Sequence, residues 1–112
     1  MDSKDSDLAK GPAPQWTFLT NHAQVLACVA NEPDMRLREI GAAIGVTERA
    51  AHRIVGELVD AGYLTRERTG RRNRYTVNSH LRLPDPLARS QRVGDLLEIL
   101  SGRRGLRAGR PD

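Results

Sequence analysis

The sequence predicts a mostly α-helical fold with one small β-hairpin. Apolar residues recur with helical spacing in several segments between positions 18 and 100. Two β-prone runs after position 63 flank a glycine-containing loop. Aromatic residues make up only 4% of the chain although 38% is apolar. A core of Leu, Ile, Val and Ala suits packed helices, because aliphatic stripes interlock without large rings.

The first helix is expected after a polar, proline-containing segment, residues 1–15, which lacks periodicity and predicts a flexible tail. Thr20 is a suitable N-cap, because its hydroxyl can accept from an early free N–H. Pro33 ends the helix, since it disfavours a helical residue before it. The residues that share the buried face are Phe18, His22, Val25, Leu26 and Val29.

A short strand at residues 35–37 is predicted to lead into a second helix. Gly45 is a natural stop for that helix, because glycine readily adopts the left-handed conformation that follows a helix end. The stripe of the second helix consists of Leu37, Ile40, Ala43 and Ile44.

The third helix, residues 48–61, is the most informative segment of the chain. Thr47 fits its N-cap and Gly62 its end. Arg49 and Arg53 lie in its first two turns, opposite to the charge order that a helix dipole favours. An external polyanion approaching the start of the helix would gain from that order. We therefore expect a DNA recognition helix. Its buried stripe consists of Ala51, Ile54, Val55, Leu58 and Val59.

Residues 64–68 and 74–77 predict the two strands of the hairpin, with 69–73 as the loop. Tyr75 and Val77 share a face and should pack on the helices. Asn73 is expected to shape the turn. The basic residues of the hairpin form a predicted ribbon of positive charge, which consists of Arg66, Arg68, Arg71, Arg72 and Arg74.

After an extended, proline-containing segment at 78–88, a fourth helix is predicted over residues 90–100. So small a core has little need of another apolar stripe, which would form an exposed patch if nothing covered it. We expect a homodimer interface there. The alternative is that this helix folds back over the first helix of its own chain. The expected interface residues are Trp16, Phe18, Val93, Leu96, Leu97 and Leu100, with Ile99 widening the stripe.

The order of helix, strand, helix, turn, helix and hairpin is that of a winged helix-turn-helix. Residues 16–77 resemble bacterial transcriptional regulators of the MarR/ArsR kind, through segments 37–47 and 53–64. The second segment is the more specific, because a recognition helix that ends in Leu-x-x-x-Gly-aromatic-Leu runs into a basic hairpin. The cysteine-rich metal motif of many ArsR sensors is absent. The matching residues are Leu58, Gly62, Tyr63 and Leu64.

The resemblance implies a homodimer on a roughly palindromic operator, with recognition helix 48–61 in the major groove and wing 64–77 at the minor groove. It divides the chain into a flexible tail, a winged helix-turn-helix domain, a linker with a dimerisation helix, and a disordered basic tail. These units are predicted at 1–15, 16–82, 83–101 and 102–112.

Two groups of basic residues are the main candidates for DNA contact. Arg49 and Arg53 could pair with guanine edges, which is worth roughly 1–3 kcal/mol of discrimination. Arg71 and Arg72 could enter a narrow minor groove. The alternatives are a solvated helix face and a charged edge that prevents aggregation. The full candidate set is Thr47, Glu48, Arg49, His52, Arg53, Arg71, Arg72 and Arg74.

Three of these candidates also have a purely structural interpretation. Thr47 is expected to cap the third helix first and to contact phosphate second. Glu48 could accept from cytosine N4, but we favour its interaction with the helix dipole. His52 could reach DNA or pack against the second helix.

Composition and charge narrow the function classes. A formal charge of +4 and a pI near 10.0 favour an anionic partner such as double-stranded DNA. The single Cys28 is interpreted as a small apolar filler, and the scattered histidines predict no metal site. Without a nucleophile and matching base or a phosphate loop, we expect no enzyme activity and no cofactor. No polar cluster identifies a small-molecule effector.

Two further expectations follow from the sequence. The polar, acidic start and the lack of a long apolar run predict a cytoplasmic protein without a membrane contact. The main alternative function is a protein-interaction module that acts through the fourth helix. Binding of single strands or RNA is disfavoured, because the predicted outer faces lack aromatic residues for base stacking.

Overall fold

A computed structural model describes residues 12–101, and it confirms the mostly helical fold with one antiparallel hairpin. The predictions for residues 1–11 and 102–112 lie outside the described residues. The elements in chain order are helix α1 (Asn21–Asn31), helix α2 (Leu37–Ile44), helix α3 (Glu48–Asp60), strand β1 (Leu64–Thr69), strand β2 (Arg72–Val77), a short 3₁₀ helix (Pro86–Ala88) and helix α4 (Val93–Ser101).

The predicted helix ends are confirmed at the hydroxyl and glycine positions. Thr20 Oγ1 accepts a hydrogen bond from the Ala23 amide at 3.1 Å at the start of α1. Thr47 Oγ1 accepts from the Ala50 amide at 3.0 Å at the start of α3. Gly45 ends α2 with a φ of +82°, in the left-handed region that favours glycine. These local interactions fix how α2 turns into α3.

The core lies where α1, α2 and α3 meet the inner face of the hairpin. Tyr75 on β2 is buried, as predicted, and Val77 packs against the same core. Phe18, expected on the buried face of the first helix, instead precedes α1 and is exposed. The buried residues are Val25, Leu26, Val29, Ile40, Ala51, Ile54, Val55, Leu58, Leu64, Tyr75 and Val93.

A close backbone approach within the helix-turn-helix was not predicted. Gly41 is buried in α2, whereas Ala43, expected in the buried stripe, is exposed. A Cβ added at Gly41 would lie 2.8 Å from the Val46 carbonyl oxygen and 3.1 Å from that of Thr47. The backbone leading into α3 thus crosses α2 where only glycine leaves room for it.

The hairpin is longer and its turn tighter than the sequence indicated. Thr69 pairs with Arg72, so the turn contains only residues 70–71, and Gly70 there has a φ of +63°. A glycine first in a two-residue turn suits the twist of the flanking strands. The expected role of Asn73 in the turn is wrong, since Asn73 lies in β2 and pairs with Arg68.

The strand predicted at residues 35–37 does not form among the described residues, where the sheet has two strands. Met35 donates to the Glu32 carbonyl in a turn, and Leu37 already begins α2. Glu39 accepts from the Arg36 amide at 2.9 Å, which caps α2 without a hydroxyl residue before it. Too few residues remain between turn and helix for a strand.

The segment after the hairpin folds back, so that α4 packs against α1 of the same chain. The Val93 amide donates to the Leu81 carbonyl at 2.8 Å, and the Gly94 amide donates to that of Ser79 at 2.9 Å. Val93 itself is 1% exposed and belongs to the core. Its predicted place in a dimer interface is therefore corrected, because it has almost no surface to offer a partner. The helix begins at Val93, rather than at residue 90.

Candidate nucleic-acid interface

The outer face of α3, defined by Arg49, His52 and Arg53, is exposed. The burial of Ala51, Ile54 and the rest of the inner stripe fixes the rotation of the helix and turns these side chains to solvent. Within residues 12–101 no ion pair involves Arg49. The placement of this face agrees with the one that helical periodicity predicts.

Arg53 is held by a carboxylate one turn further along the helix. Its Nη1 lies 3.3 Å from Oε2 of Glu57, and Nε2 of His22 donates to the other carboxylate oxygen at 2.7 Å. The hydrogen bond from His22, followed by the bond and charge of Arg53, lowers the pKa of Glu57 below its usual range. This exposed chain of contacts links α1 to the outer face of α3.

The arginines of the hairpin do not form one ribbon. The register places Arg66 opposite Tyr75, so it lies on the same face of the sheet as that buried ring. Arg72, which pairs with Thr69, lies on the other face of the sheet, and Arg71 lies in the turn at the tip. Arg72 also donates weakly to the Asp34 carbonyl at 3.4 Å. The predicted ribbon is thus divided between two faces and a tip.

Arg74 is fixed by an acidic partner that was not predicted from the sequence. Its Nη1 lies 3.1 and 3.2 Å from the two carboxylate oxygens of Asp34, in the loop between α1 and α2. Beside this pair, the Tyr75 amide donates to the Pro33 carbonyl at 3.1 Å. These contacts anchor the outer part of the hairpin to the helices. No local sequence pattern marks the pair, because its members are 40 positions apart.

The other two candidates lie at the start of α3. The hydroxyl of Thr47 is occupied as the helix cap, in agreement with its first predicted role. Glu48 is exposed in the first turn, where a carboxylate suits the helix dipole.

A cleft of about 360 Å³ opens between the start of α2 and the tip of the hairpin. Glu48 lines it at the start of α3, and Tyr75 lies at its wall. Arg36 and Arg38, which were not predicted from the sequence as contact residues, line one side of this cleft. The sequence does contain a signal for them, because two basic residues at the start of a helix oppose the helix dipole and so indicate an external anion. The arginines that line the cleft are Arg36, Arg38, Arg71 and Arg72.

The predicted dimer surface is exposed only in part. Trp16 and Phe18 are 60% and 91% exposed, and their rings meet edge to face at 5.0 Å. Ile99 on α4 is 75% exposed. Leu97 packs partly against the core of its own chain, as the alternative of a folded-back helix predicts. Leu96 and Leu100 are half-buried.

Two other features bear on the function class. Within residues 12–101, no three His, Cys, Asp or Glu side chains are grouped closely enough to hold a metal ion. Cys28 is half-buried beside the core, and burial, followed by the charge of Glu32, raises the pKa of its thiol. A raised thiol pKa lowers the thiolate fraction, which fits the interpretation of Cys28 as an apolar filler.

The family model of the MarR family matches residues 17–74. The chain belongs to the MarR family. The match spans α1, the helix-turn-helix and the hairpin as far as Arg74, so the fold and the family agree on a winged-helix, DNA-binding transcription regulator. A search of curated proteins finds no match. None of the helices described in residues 12–101 combines the length and apolarity that crossing a membrane requires.

Proposed function

We propose that this MarR-family protein binds double-stranded DNA sequence-specifically as a homodimer and so regulates transcription. Helix α3, within the predicted recognition segment 48–61, enters the major groove, and the wing, residues 64–77, lies at the minor groove. The observation that carries this proposal is the exposed outer face of α3, with two arginines near the start of a helix whose opposite face packs into the core.

Arg49 and Arg53 have different expected roles in the major groove. Arg49 has no ion-pair partner among residues 12–101, so its guanidinium is available for a bidentate contact with guanine. One N–H group of Arg53 is hydrogen-bonded to Glu57, and its other N–H groups are available for a second base or a phosphate. His52, exposed between them, can approach the same strand.

The wing supports a separate contact with the minor groove. Arg71 projects from a two-residue turn at the tip, a shape narrow enough to approach a groove about 6 Å wide. A narrow A·T-rich groove has the most negative potential and attracts arginine there. Arg72, beside the tip, is placed for the flanking phosphates. Arg74 supports the wing through Asp34 rather than contacting DNA.

The homodimer is supported by the apolar surface that the subunit leaves uncovered. Trp16, Phe18 and Ile99 are all more than half exposed, and a second subunit related by a twofold axis can bury exposed apolar side chains of this kind. Leu96 and Leu100 supply the half-buried rim of α4. A twofold arrangement would present two recognition helices to half-sites about 34–36 Å apart.

Selection of bound duplexes from a random DNA pool tests this proposal most directly. We expect a palindromic site with submicromolar affinity and a steep salt dependence. Arg49→Ala and Arg53→Ala should relax the sequence preference. Arg72→Ala should weaken binding to all duplexes evenly and lower the salt slope by about one. Arg89→Ala, which removes an exposed arginine from the C-terminal segment, is the matched control.

Two outcomes would contradict the proposal. If the Arg49, Arg53 and Arg72 variants all bind like the parent, the interface is assigned to the wrong surface. If the parent binds no duplex at low salt, and a different protein is captured through α4, the chain acts as a protein-interaction module instead.

A further inference from the structure

We infer that the cleft between the start of α2 and the wing tip is a phosphate-binding site, occupied by a backbone phosphodiester of the bound duplex. Arg36 and Arg38 hold the phosphate from the helix side, and Arg71 and Arg72 from the wing side. The inference rests on the proposed function and extends the DNA contact to two arginines outside the recognition helix and the wing.

The first support is the charge that remains unbalanced in the cleft. Two acidic residues, Asp34 and Glu48, line it beside the four arginines. The Asp34 carboxylate is already paired with Arg74 at 3.1 Å, which leaves Glu48 as the remaining acid. Several like charges around one open space repel each other, and an anion between them relieves that repulsion.

The second support is that three of the four guanidinium groups make no ion pair within the described part of the subunit, while Arg72 makes one long hydrogen bond, to the Asp34 carbonyl at 3.4 Å. No ion pair in residues 12–101 involves Arg36, Arg38 or Arg71. Arg36 and Arg38 are also exposed, and α2 buries Ile40 and Gly41 instead, so packing does not explain them. Arg38 lies in the first turn of α2, where the helix dipole disfavours a cation. An external anion removes that disadvantage.

The third support is the position of the cleft relative to α3. Glu48 lies both in the cleft lining and in the first turn of the recognition helix. A duplex whose major groove receives α3 therefore passes one of its strands close to this opening. The Glu48 carboxylate opposes a phosphate dianion more strongly than the monoanionic diester of a nucleic-acid backbone. The acid thus favours a backbone phosphate over a free one.

The arrangement has a clear mechanical effect. A phosphate held between α2 and the wing joins the helix that precedes α3 to the hairpin, and so links the proposed major-groove and minor-groove contacts. Contacts of this kind carry no sequence information, but they fix the register of a protein on the duplex. Arg36 and Arg38 are therefore positioning residues for the base contacts of α3.

The test compares Arg36→Ala, Arg38→Ala and the double variant with Arg89→Ala, on the selected duplex and on a scrambled one. Fluorescence anisotropy across 50–200 mM salt measures affinity. The double variant should weaken binding about five- to tenfold near 0.1 M salt on both duplexes and reduce the salt slope by up to about 0.9 for each subunit's cleft, and each single variant should have a smaller effect of the same kind. Arg38→Lys should retain the slope, and unchanged thermal unfolding establishes that the variants are folded.

Three results would overturn the inference, each in a distinguishable way. A double variant with the parental salt slope overturns the cleft site alone, because the parent still binds duplex. A parent that binds no duplex overturns the proposed function and this inference together. In a titration with inorganic phosphate, we expect amide shifts at Gly70 and Asn73 only at tens of millimolar. Saturation below about 1 mM would assign the cleft to a free anion.

Discussion

Helices α3 and α4 both have an apolar stripe with helical spacing, yet the stripe of α3 is buried within the subunit and most of the stripe of α4 is not. In α3 the stripe is covered by the chain itself, with Ile54 1% and Leu58 5% exposed. In α4 only Val93 is buried, while Ile99 stays 75% exposed. An amphipathic pattern therefore shows that a face needs cover, but it does not identify what covers it.

The outer faces of the two helices differ in charge as well. The outer face of α3 carries arginine near its start, whereas α4 carries Asp95 and Glu98 and no basic residue. Asp95 accepts from the Arg92 amide at 2.9 Å, so one of these acids caps its own helix. A polyanion would therefore be attracted to the outer face of α3 and repelled by that of α4, which agrees with the proposed DNA contact through α3.

The largest expected effect is a difference in stability between substitutions in the covered stripe of α3 and in the uncovered stripe of α4. Ile54→Ala should lower the free energy of unfolding by about 2–5 kcal/mol, because it opens a cavity in the core. Ile99→Ala should change the stability of the subunit by less than about 0.5 kcal/mol and weaken self-association instead. Urea unfolding at several protein concentrations, with sedimentation velocity, distinguishes the two effects. A concentration-independent loss in Ile99→Ala comparable to that in Ile54→Ala would place Ile99 in the core.

The next effect compares two helical glycines. Gly41→Ala should destabilise the protein by about 1–3 kcal/mol, since the new methyl group would meet the Val46 carbonyl oxygen at 2.8 Å. Gly56→Ala, in α3, meets nothing within 4 Å and should stabilise by about 0.5–1 kcal/mol. Thermal unfolding of both variants measures the difference. If Gly41→Ala stabilises the protein as Gly56→Ala is expected to do, the close crossing at Gly41 does not exist.

The wing combines a covered face and an uncovered one. Tyr75 is buried on its inner face, whereas an exposed ion pair between Arg74 and Asp34 fixes its outer face. Disrupting that pair should cost less than about 1 kcal/mol of stability. Its effect on DNA binding is more informative. If Arg74 positions the wing, Asp34→Ala and Arg74→Ala should weaken duplex binding alike, and the double variant should add little. If Arg74 contacts phosphate directly, Asp34→Ala should instead strengthen binding.

The smallest effect concerns the link between α1 and α3. Since His22 and Arg53 lower the pKa of Glu57 in the folded state, the unfolded chain binds its proton more readily. The stabilisation is therefore present above the ordinary pKa of 4.5 and is lost as pH falls through the lower folded value. Glu57→Gln should show a shallower loss of stability in this acidic window. Asp60→Asn, which removes another exposed carboxylate of the same helix, is the matched control.

The parts of the fold that the sequence predicted correctly depend on neighbouring positions. Thr20 and Thr47 cap helices through hydrogen bonds to residues three positions away, and Gly45 ends α2 by its own conformation. The buried stripe of α3 follows from a repeat of 3.6 residues, which also places Arg49 and Arg53 outward. These features needed no knowledge of the tertiary structure.

The features that sequence reasoning missed depend on segments far apart in the chain. Asp34 meets Arg74 across 40 positions, and the cleft joins the start of α2 to the wing tip. In the sequence Gly41 is not distinguishable from other helical glycines, because the close contact comes from the backbone of residues 46–47. The prediction of a strand at residues 35–37 was wrong because helix capping by Glu39 uses the same short segment.

The contact between Arg53 and Glu57 has a thermodynamic consequence for recognition. Immobilising a long side chain at an interface costs about 0.5–1.5 kcal/mol in lost rotamer freedom. Glu57 already restricts Arg53 before any complex forms, and it occupies one of five guanidinium hydrogens. In the proposed complex, Arg53 therefore meets the base pairs preorganised, with part of its ordering entropy already spent in folding.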